Sequence, residues 1–366
     1  MRLPNKRWEE PFVYHAPVLA DRPVRVVFGV GSLNWVGREV ARLGRRALLI
    51  AGGHEQAAAD VVAQQLGDGL VGQLRDVAQH VPAHLAAEAT RRVDRLGADV
   101  LLTLGGGSAT GMAKAIARET GLPILAVPTT YAGSEMTPIW GLSDEQGKTT
   151  GRDPRVLPRT VLYDPALTLS LPRDITGPSG INALAHALEA LYAPDATPQL
   201  TTVAEEALRT LAAALPLVVA HPDDLGARSQ ALCGAWLAGW ALGATTMGLH
   251  HKLAHVLGGA YRLPHAGVHS ALLPQVAAFN ATAAPEAFTR AARALHVDDA
   301  SLVGAALFDL ATEIDAPTSL ARLGLTDDAI DPVAETVVGA GVVNPRPVTG
   351  SDLVLLLRNA YAGTRP

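Results

Sequence analysis

The chain has 366 residues, 48% of them hydrophobic and 18% charged, which excludes a largely disordered polymer and allows two domains or one large one. Thirty basic residues against 35 acidic ones leave a formal charge of −5, so no overall basic field exists and nucleic acid is excluded as an expected partner. The single cysteine, Cys233, excludes an internal disulfide framework and a cysteine-only metal cage, and fits a reducing compartment.

The first ten residues are charged where an export signal would be apolar, so a cytoplasmic chain is expected. The stretch from Gln230 to Leu249 carries no formal charge and is long enough to span a bilayer. It is mostly Ala, Gly and Thr, holds two tryptophans and runs into His250 and His251, which favours a buried helix and no membrane contact. The spacing Gly239–x–x–x–Gly243 permits close helix packing there.

From Val24 to about Asp164 short aliphatic runs alternate with helical periodicity. Val24–Phe28, Arg46–Ala51, Asp99–Leu104, Pro123–Val127 and Thr160–Tyr163 read as strands, with Leu33–Leu43, Glu55–Leu66 and Ala83–Leu96 as helices between the first of them. This alternation predicts a parallel sheet covered on both faces. Beyond Leu171–Pro172 the strand signal stops, and Ala/Leu-rich helical periodicity continues with breaks at His221–Pro222, Leu263–Pro264 and Asn344–Pro345. The expected organisation is an α/β domain over 1–168 and an all-helical domain over 169–366, with the active site in the cleft between them.

Two loops at strand ends suit a phosphate-bearing ligand. Gly105–Gly–Gly–Ser108 follows a buried strand and opens a helix, where backbone N–H groups and the positive end of the helix dipole meet an anion. After the next strand, Pro128–Thr–Thr–Tyr–Ala–Gly–Ser–Glu–Met–Thr137 offers hydroxyls at Thr129, Thr130, Ser134 and Thr137. Adjacent strand ends of this kind mark the carboxyl edge of an open sheet, where ligands bind. Of the four lysines, Lys114 and Lys148 follow these loops and Lys252 lies among histidines.

The second half holds a histidine constellation. His250, His251, His255 and His265 fall within sixteen residues; His251 and His255 share a helix face, and Pro264 turns the chain before His265. Upstream, Asn182 and His186 share a face by the same spacing, with Glu189 one turn further on. Three histidines can hold zinc or iron, but the fourth position offers the neutral amide of Asn182 where a carboxylate would offset charge. A proton-handling site without a metal is therefore expected. Without a metal the imidazoles remain free to be donors.

In order, Gly105–Gly–Gly–Ser108, Pro128–Thr–Thr–x–x–Gly–Ser–Glu135, Gly180–x–x–Ala–Leu–x–His186 and His251–x–x–x–His255 to Pro264–His265 resemble the iron-containing alcohol dehydrogenase superfamily. The longer strings Pro128–Trp140, Gly151–Arg159, Asn182–His186 and Gly248–His255 look like its maleylacetate reductase branch. The resemblance spans nearly the whole chain. It implies a dinucleotide-binding α/β domain followed by a helical catalytic domain, the architecture shared with dehydroquinate synthase. It implies reduction of the conjugated double bond of maleylacetate to 3-oxoadipate with NADH or NADPH, with a dicarboxylate as partner; the apolar helical half suits a homodimer. The positions matching Asn182, His186, His251 and His265 are an aspartate and three histidines in the metal-dependent relatives, and His255 matches the histidine beside the nicotinamide. His251, His255 and Lys252 are then the expected catalytic groups, with His186, His265 and Asn182 orienting the substrate. Gly105, Gly106, Gly107, Ser108, Thr129, Thr130, Ser134 and Lys148 are expected at the cofactor. Gly52 stands where NAD-selective relatives often carry an aspartate, so both dinucleotides are expected to serve. Val268 replaces the threonine expected in this branch. A metal-dependent alcohol or aldehyde dehydrogenase, a dehydroquinate-synthase-like cyclase and a nucleotide-binding scaffold without turnover are the alternatives.

Overall fold

Near-continuous aliphatic runs build the middle of a seven-stranded sheet, as expected of strands covered on both faces. The computed structural model describes residues 10–19, 21–78, 81–144 and 147–366. Across the sheet, β2 (Arg22–Phe28), β9 (Thr160–Tyr163), β6 (Ile124–Pro128), β5 (Val100–Gly105), β3 (Ala47–Ala51) and β4 (Leu70–Leu74) run parallel in that order. An eighth-residue-long edge is added by β1 (Phe12–Leu19), antiparallel to β2. Every residue of β3, β5, β6 and β9 is buried.

The strands β1 and β4 are absent from the sequence reading. Both lie at sheet edges, where the aliphatic signal is diluted: β1 carries Tyr14, His15 and Pro17 with an irregular register between Ala16 and Leu19, and β4 is only half-buried. A two-stranded hairpin, β7 (Ile139–Asp144) with β8 (Gly147–Arg152), is likewise unanticipated, because its Gly, Ser and Thr residues read as loop.

Among the helices of this part, α1 (Val36–Val40), α2 (Gln56–Leu66), α3 (Ala83–Leu96) and α4 (Gly107–Thr120), the bounds of α3 match those predicted. Gly97, left-handed at φ 60, ends it. The expected helix over 33–43 is shorter. Gly31 at φ 80 starts a 3-10 turn over Ser32–Trp35, the Asp164 carboxylate accepts from the Leu33 N–H at 3.0 Å, and α1 follows only from Val36.

The chain divides between Leu171 and Pro172 into two compact units. The second contains α5 (Arg173–Leu191), α6 (Pro198–Ala220), α7 (Leu225–Ala244), α8 (Leu249–Ala260), α9 (His265–Asn280), α10 (Pro285–Leu295), α11 (Val303–Glu313), α12 (Ile330–Gly339) and α13 (Gly350–Ala362), with no strand among its described residues. The three expected breaks all fall between helices. The uncharged stretch from Gln230 runs through α7 to Ala244, breaks, and ends on Leu249, the first residue of α8; the two helices are bent by 97°, and no single helix among the described residues is long and apolar enough to cross a membrane.

Helix α5 is the axis of this unit, buried on every side from Thr176 to Leu191. Glycine permits its close packing: a Cβ at Gly180 would fall inside the envelope of the Leu215 side chain of α6, and Gly234 of α7 sits equally tightly against Leu211. Replacing Gly180 by Ala is expected to destabilise the protein by about 1–3 kcal/mol through overpacking, read as a lower urea midpoint. Unchanged stability would contradict the packing described.

Candidate functional site

In the first unit the two expected loops stand side by side because their strands are neighbours, with Gly105 opposite Pro128. Gly105 has φ +147, and the Thr129 N–H donates to its carbonyl at 3.2 Å. A Cβ at Gly106 would lie 2.9 Å from Thr130 Cγ2, so only glycine lets this turn approach the Thr loop. Gly107 and Ser108 open α4, leaving first-turn N–H groups for an anion. Gly133, left-handed at φ 74, precedes the 3-10 turn Ser134–Met136. These residues fit a dinucleotide pyrophosphate. Lys148 lies in β8, and its side chain is outside the described residues.

Two details here differ from expectation. Lys114 does not face a ligand: it is 1% exposed and donates to the carbonyls of Ser134, Thr137 and Ile139 and to Thr137 Oγ1 at 2.6–2.9 Å, clamping the Thr loop from behind. Burial pushes its ammonium down to about 7, opposed by Glu135 and reinforced by Arg152. Second, a carboxylate does stand near Gly52. A Cβ at Gly52 would be 3.2 Å from Glu55 Oε2 and one at Gly105 would be 3.4 Å from Glu55 Oε1, so Glu55 supplies from the next turn the charge that position 52 lacks.

In the second unit six imidazoles collect: His186 from α5, His250, His251 and His255 from α8, and His265 and His269 from α9, with neighbouring ring centroids 4.5–6.3 Å apart. His186 stacks on His251 at 5.0 Å and His255 on His265 at 6.3 Å. His250 Nε2 and His269 Nδ1 are 2.8 Å apart, and His269 Nε2 and His265 Nε2 are 3.2 Å apart, giving a hydrogen-bonded chain of three rings. Asn182 stands one turn before His186 and is 5% exposed. The expected His186, His251, His255 and His265 are thus brought together. Lys252 is half-buried on α8 and takes no part in the cluster's hydrogen bonds.

Two members were missing from the expected set although the sequence marks them. His269 follows His265 by four residues, on the same helix face. Glu189 follows His186 by three, is 1% exposed, and accepts from His251 Nδ1 at 2.6 Å and from the N–H groups of Gly248 and His250 at 3.1 and 2.8 Å. Burial pushes its carboxyl upward, but the charge and hydrogen bond of His251, then His250 and the Gly248 N–H, outweigh that and hold it below the usual carboxylate range. A cavity of about 650 Å³ opens on the other side of this carboxylate, lined also by Tyr192, Thr246 and Asn344, and no site histidine lines it.

The set Asn182, His186, His251 and His265 presents a neutral amide and three imidazoles, with no carboxylate of its own to offset the charge of a dication. His265 Nε2 faces His269, and the nearby carboxylate, Glu189, is engaged by His251 and two backbone N–H groups. Asn182 Oδ1, His186 Nδ1, His250 Nδ1 and His251 Nε2 are buried with no hydrogen-bond partner.

Residues 23–165 match the iron-containing alcohol dehydrogenase family and residues 176–361 match its C-terminal part. The chain belongs to the iron-containing alcohol dehydrogenase family. Within it, the chain is 51% identical over 343 residues to a maleylacetate reductase of Burkholderia cepacia, covering 93% of this chain and 97% of that one. The crystal structure of a maleylacetate reductase from Agrobacterium tumefaciens is 44% identical with a TM-score of 0.89, over 98% of this chain and all of that one. An iron-containing alcohol dehydrogenase structure from Corynebacterium glutamicum is 40% identical with a TM-score of 0.89, over 97% and 98% of the two chains. The family's description names iron, so membership does not support the metal-free expectation.

Burial, then the neighbouring imidazoles, holds His186 and His269 well below 6.5; burial, then His251, holds His250 at about 3 against the pull of Glu189. Unfolded histidines bind protons near pH 6.5, these three only below it, so the unfolded state binds more protons in that window. Stability should therefore fall as pH drops from 6.5 toward 3, by up to about 1.4 kcal/mol per pH unit for each such ring. Urea midpoints recorded between pH 7.5 and 5 check this; a flat profile would contradict buried neutral rings.

Proposed function

We propose that this chain is a maleylacetate reductase, reducing the carbon–carbon double bond conjugated to the ketone of maleylacetate, or of a substituted relative, to give 3-oxoadipate in aromatic-compound degradation. The observation that carries the reading is a buried imidazole cluster with the neutral amide of Asn182 beside it, in a chain 51% identical to a maleylacetate reductase. The first unit is assigned the dinucleotide, whose pyrophosphate meets the N–H groups of Gly105–Ser108 and whose sugar oxygens meet Thr129, Thr130 and Ser134. Both NADH and NADPH serve, with NADH favoured because the Glu55 carboxylate opposes a 2′-phosphate. The reduced nicotinamide supplies a hydride when bound.

The second unit is assigned the substrate. Addition of hydride to the alkene carbon β to the ketone leaves negative charge on the ketone oxygen, and the carbon α to the ketone then needs a proton. His251 and His255 stabilise that oxygen and deliver the proton, while His186, His265 and Asn182 orient the substrate through their polar atoms. Lys252 or an arginine pairs with a substrate carboxylate. An imidazolium 4 Å from the oxyanion contributes about 4 kcal/mol at an effective dielectric near 20, on the order of a thousandfold in rate, without a metal. The same reading places the protein in the cytoplasm, where reduced dinucleotide is supplied.

Protein treated with a chelator and given no metal is expected to oxidise NADH on addition of maleylacetate, consuming one NADH per 3-oxoadipate formed, with NADPH less effective. Replacing His255 by Asn should lower kcat on the order of a hundredfold or more. Activity lost on chelation and restored by iron or zinc would overturn the metal-free reading. Turnover of simple aldehydes without maleylacetate reduction would overturn the substrate, and a reaction with no net loss of NADH would point to a cyclase.

A further inference from the structure

We infer that Glu189 is a positioning residue for this reaction: its carboxylate fixes the tautomer and orientation of His251, so that Nε2 of that ring faces the reacting groups. The inference rests on the reductase reading for its chemistry, and on hydrogen-bond geometry for its substance. An ionised carboxylate only accepts, so the 2.6 Å contact requires the hydrogen of neutral His251 to sit on Nδ1. Nε2 is then bare, and it is buried with no partner within the protein. It is left to a ligand.

The carboxylate is itself held. Oε1 accepts from the His250 N–H and Oε2 from the Gly248 N–H, both at the opening of α8, where the helix dipole favours a negative charge. Gly248 makes this approach possible, because a Cβ there would stand 3.1 Å from Glu189 Oε1 and 3.0 Å from the Val343 carbonyl. Two backbone donors and one ring donor thus leave Glu189 no freedom to turn away. The ring chain His250–His269–His265 differs: nitrogen faces nitrogen at both links, so either direction of donation satisfies it. The tautomer of His251, by contrast, is set by an obligate acceptor. A ring oriented in this way can accept a proton at Nε2 and, as imidazolium beside a carboxylate, return it to the same place.

The test is the nitrogen NMR spectrum of protein labelled with ¹⁵N-histidine, with the His251 signals assigned by difference against His251→Gln. The neutral His251 ring is expected to carry hydrogen on Nδ1 and none on Nε2. Glu189→Gln places an amide against three donors, so the Nδ1–H preference should be lost and kcat should fall on the order of tenfold to a hundredfold, with KM for maleylacetate little changed. A wild-type ring protonated on Nε2 would overturn the inference. So would a Gln variant with wild-type kcat, or one that is less stable yet keeps the tautomer and the turnover per folded molecule. If the Gln variant does not fold, the wild-type spectrum decides alone. Because the spectrum needs no turnover, failure of the tautomer assignment is distinguished from failure of maleylacetate reduction.

Discussion

Six imidazoles packed at 4.5–6.3 Å cannot all carry charge, and much of the helical unit follows from that constraint. Burial, reinforced by repulsion from neighbouring imidazoles, keeps His186, His250 and His269 neutral well below the usual histidine range. A neutral cluster needs little counter-charge. The chain supplies one carboxylate, Glu189, pointed at His251, and places an amide at Asn182 where a metal centre would use another carboxylate. In a neutral cluster, which nitrogens carry hydrogens decides what each ring can donate or accept.

The first unit solves a different electrostatic problem by different means. Its ligand is a polyanion, yet the chain carries a formal charge of −5. In the proposed reading attraction is local, from backbone N–H groups at the opening of α4 and hydroxyls on the Thr loop. Lys114 is buried beneath that loop, donating to the carbonyls of Ser134 and Thr137 and to that of Ile139 in β7, so that a cation shapes the loop from behind. Glu55 adds a negative charge beside Gly105, which suits sugar hydroxyls and opposes an additional phosphate.

Much of this was legible in the sequence because strong periodicities carried it. The buried strands are uninterrupted aliphatic runs, α3 is bounded by Pro82 and Gly97, and the i,i+4 pairs Asn182/His186 and His251/His255 announce shared faces. The hidden parts are those where the signal is divided between distant residues. Edge strands β1 and β4 bury only part of their side chains, so the pattern is diluted. The role of Glu189 depends on α8 beginning at Leu249 after a glycine, 59 positions away from Glu189 at Gly248. The burial of Lys114 depends on a loop 20 to 25 residues further on. Glu189, one turn beyond His186, and His269, four residues after His265, are marked by helical spacing alone, which does not show what either side chain meets.

The central claim is conjugate reduction in an imidazole site, as opposed to carbonyl reduction at a metal. The most direct measurement follows the hydride itself, with NADH deuterated at the transferring position and the product read by NMR. Conjugate reduction yields 3-oxoadipate bearing one deuterium on the former alkene carbon β to the ketone, with the ketone intact. Deuterium on the former carbonyl carbon, in an alcohol product, would contradict it.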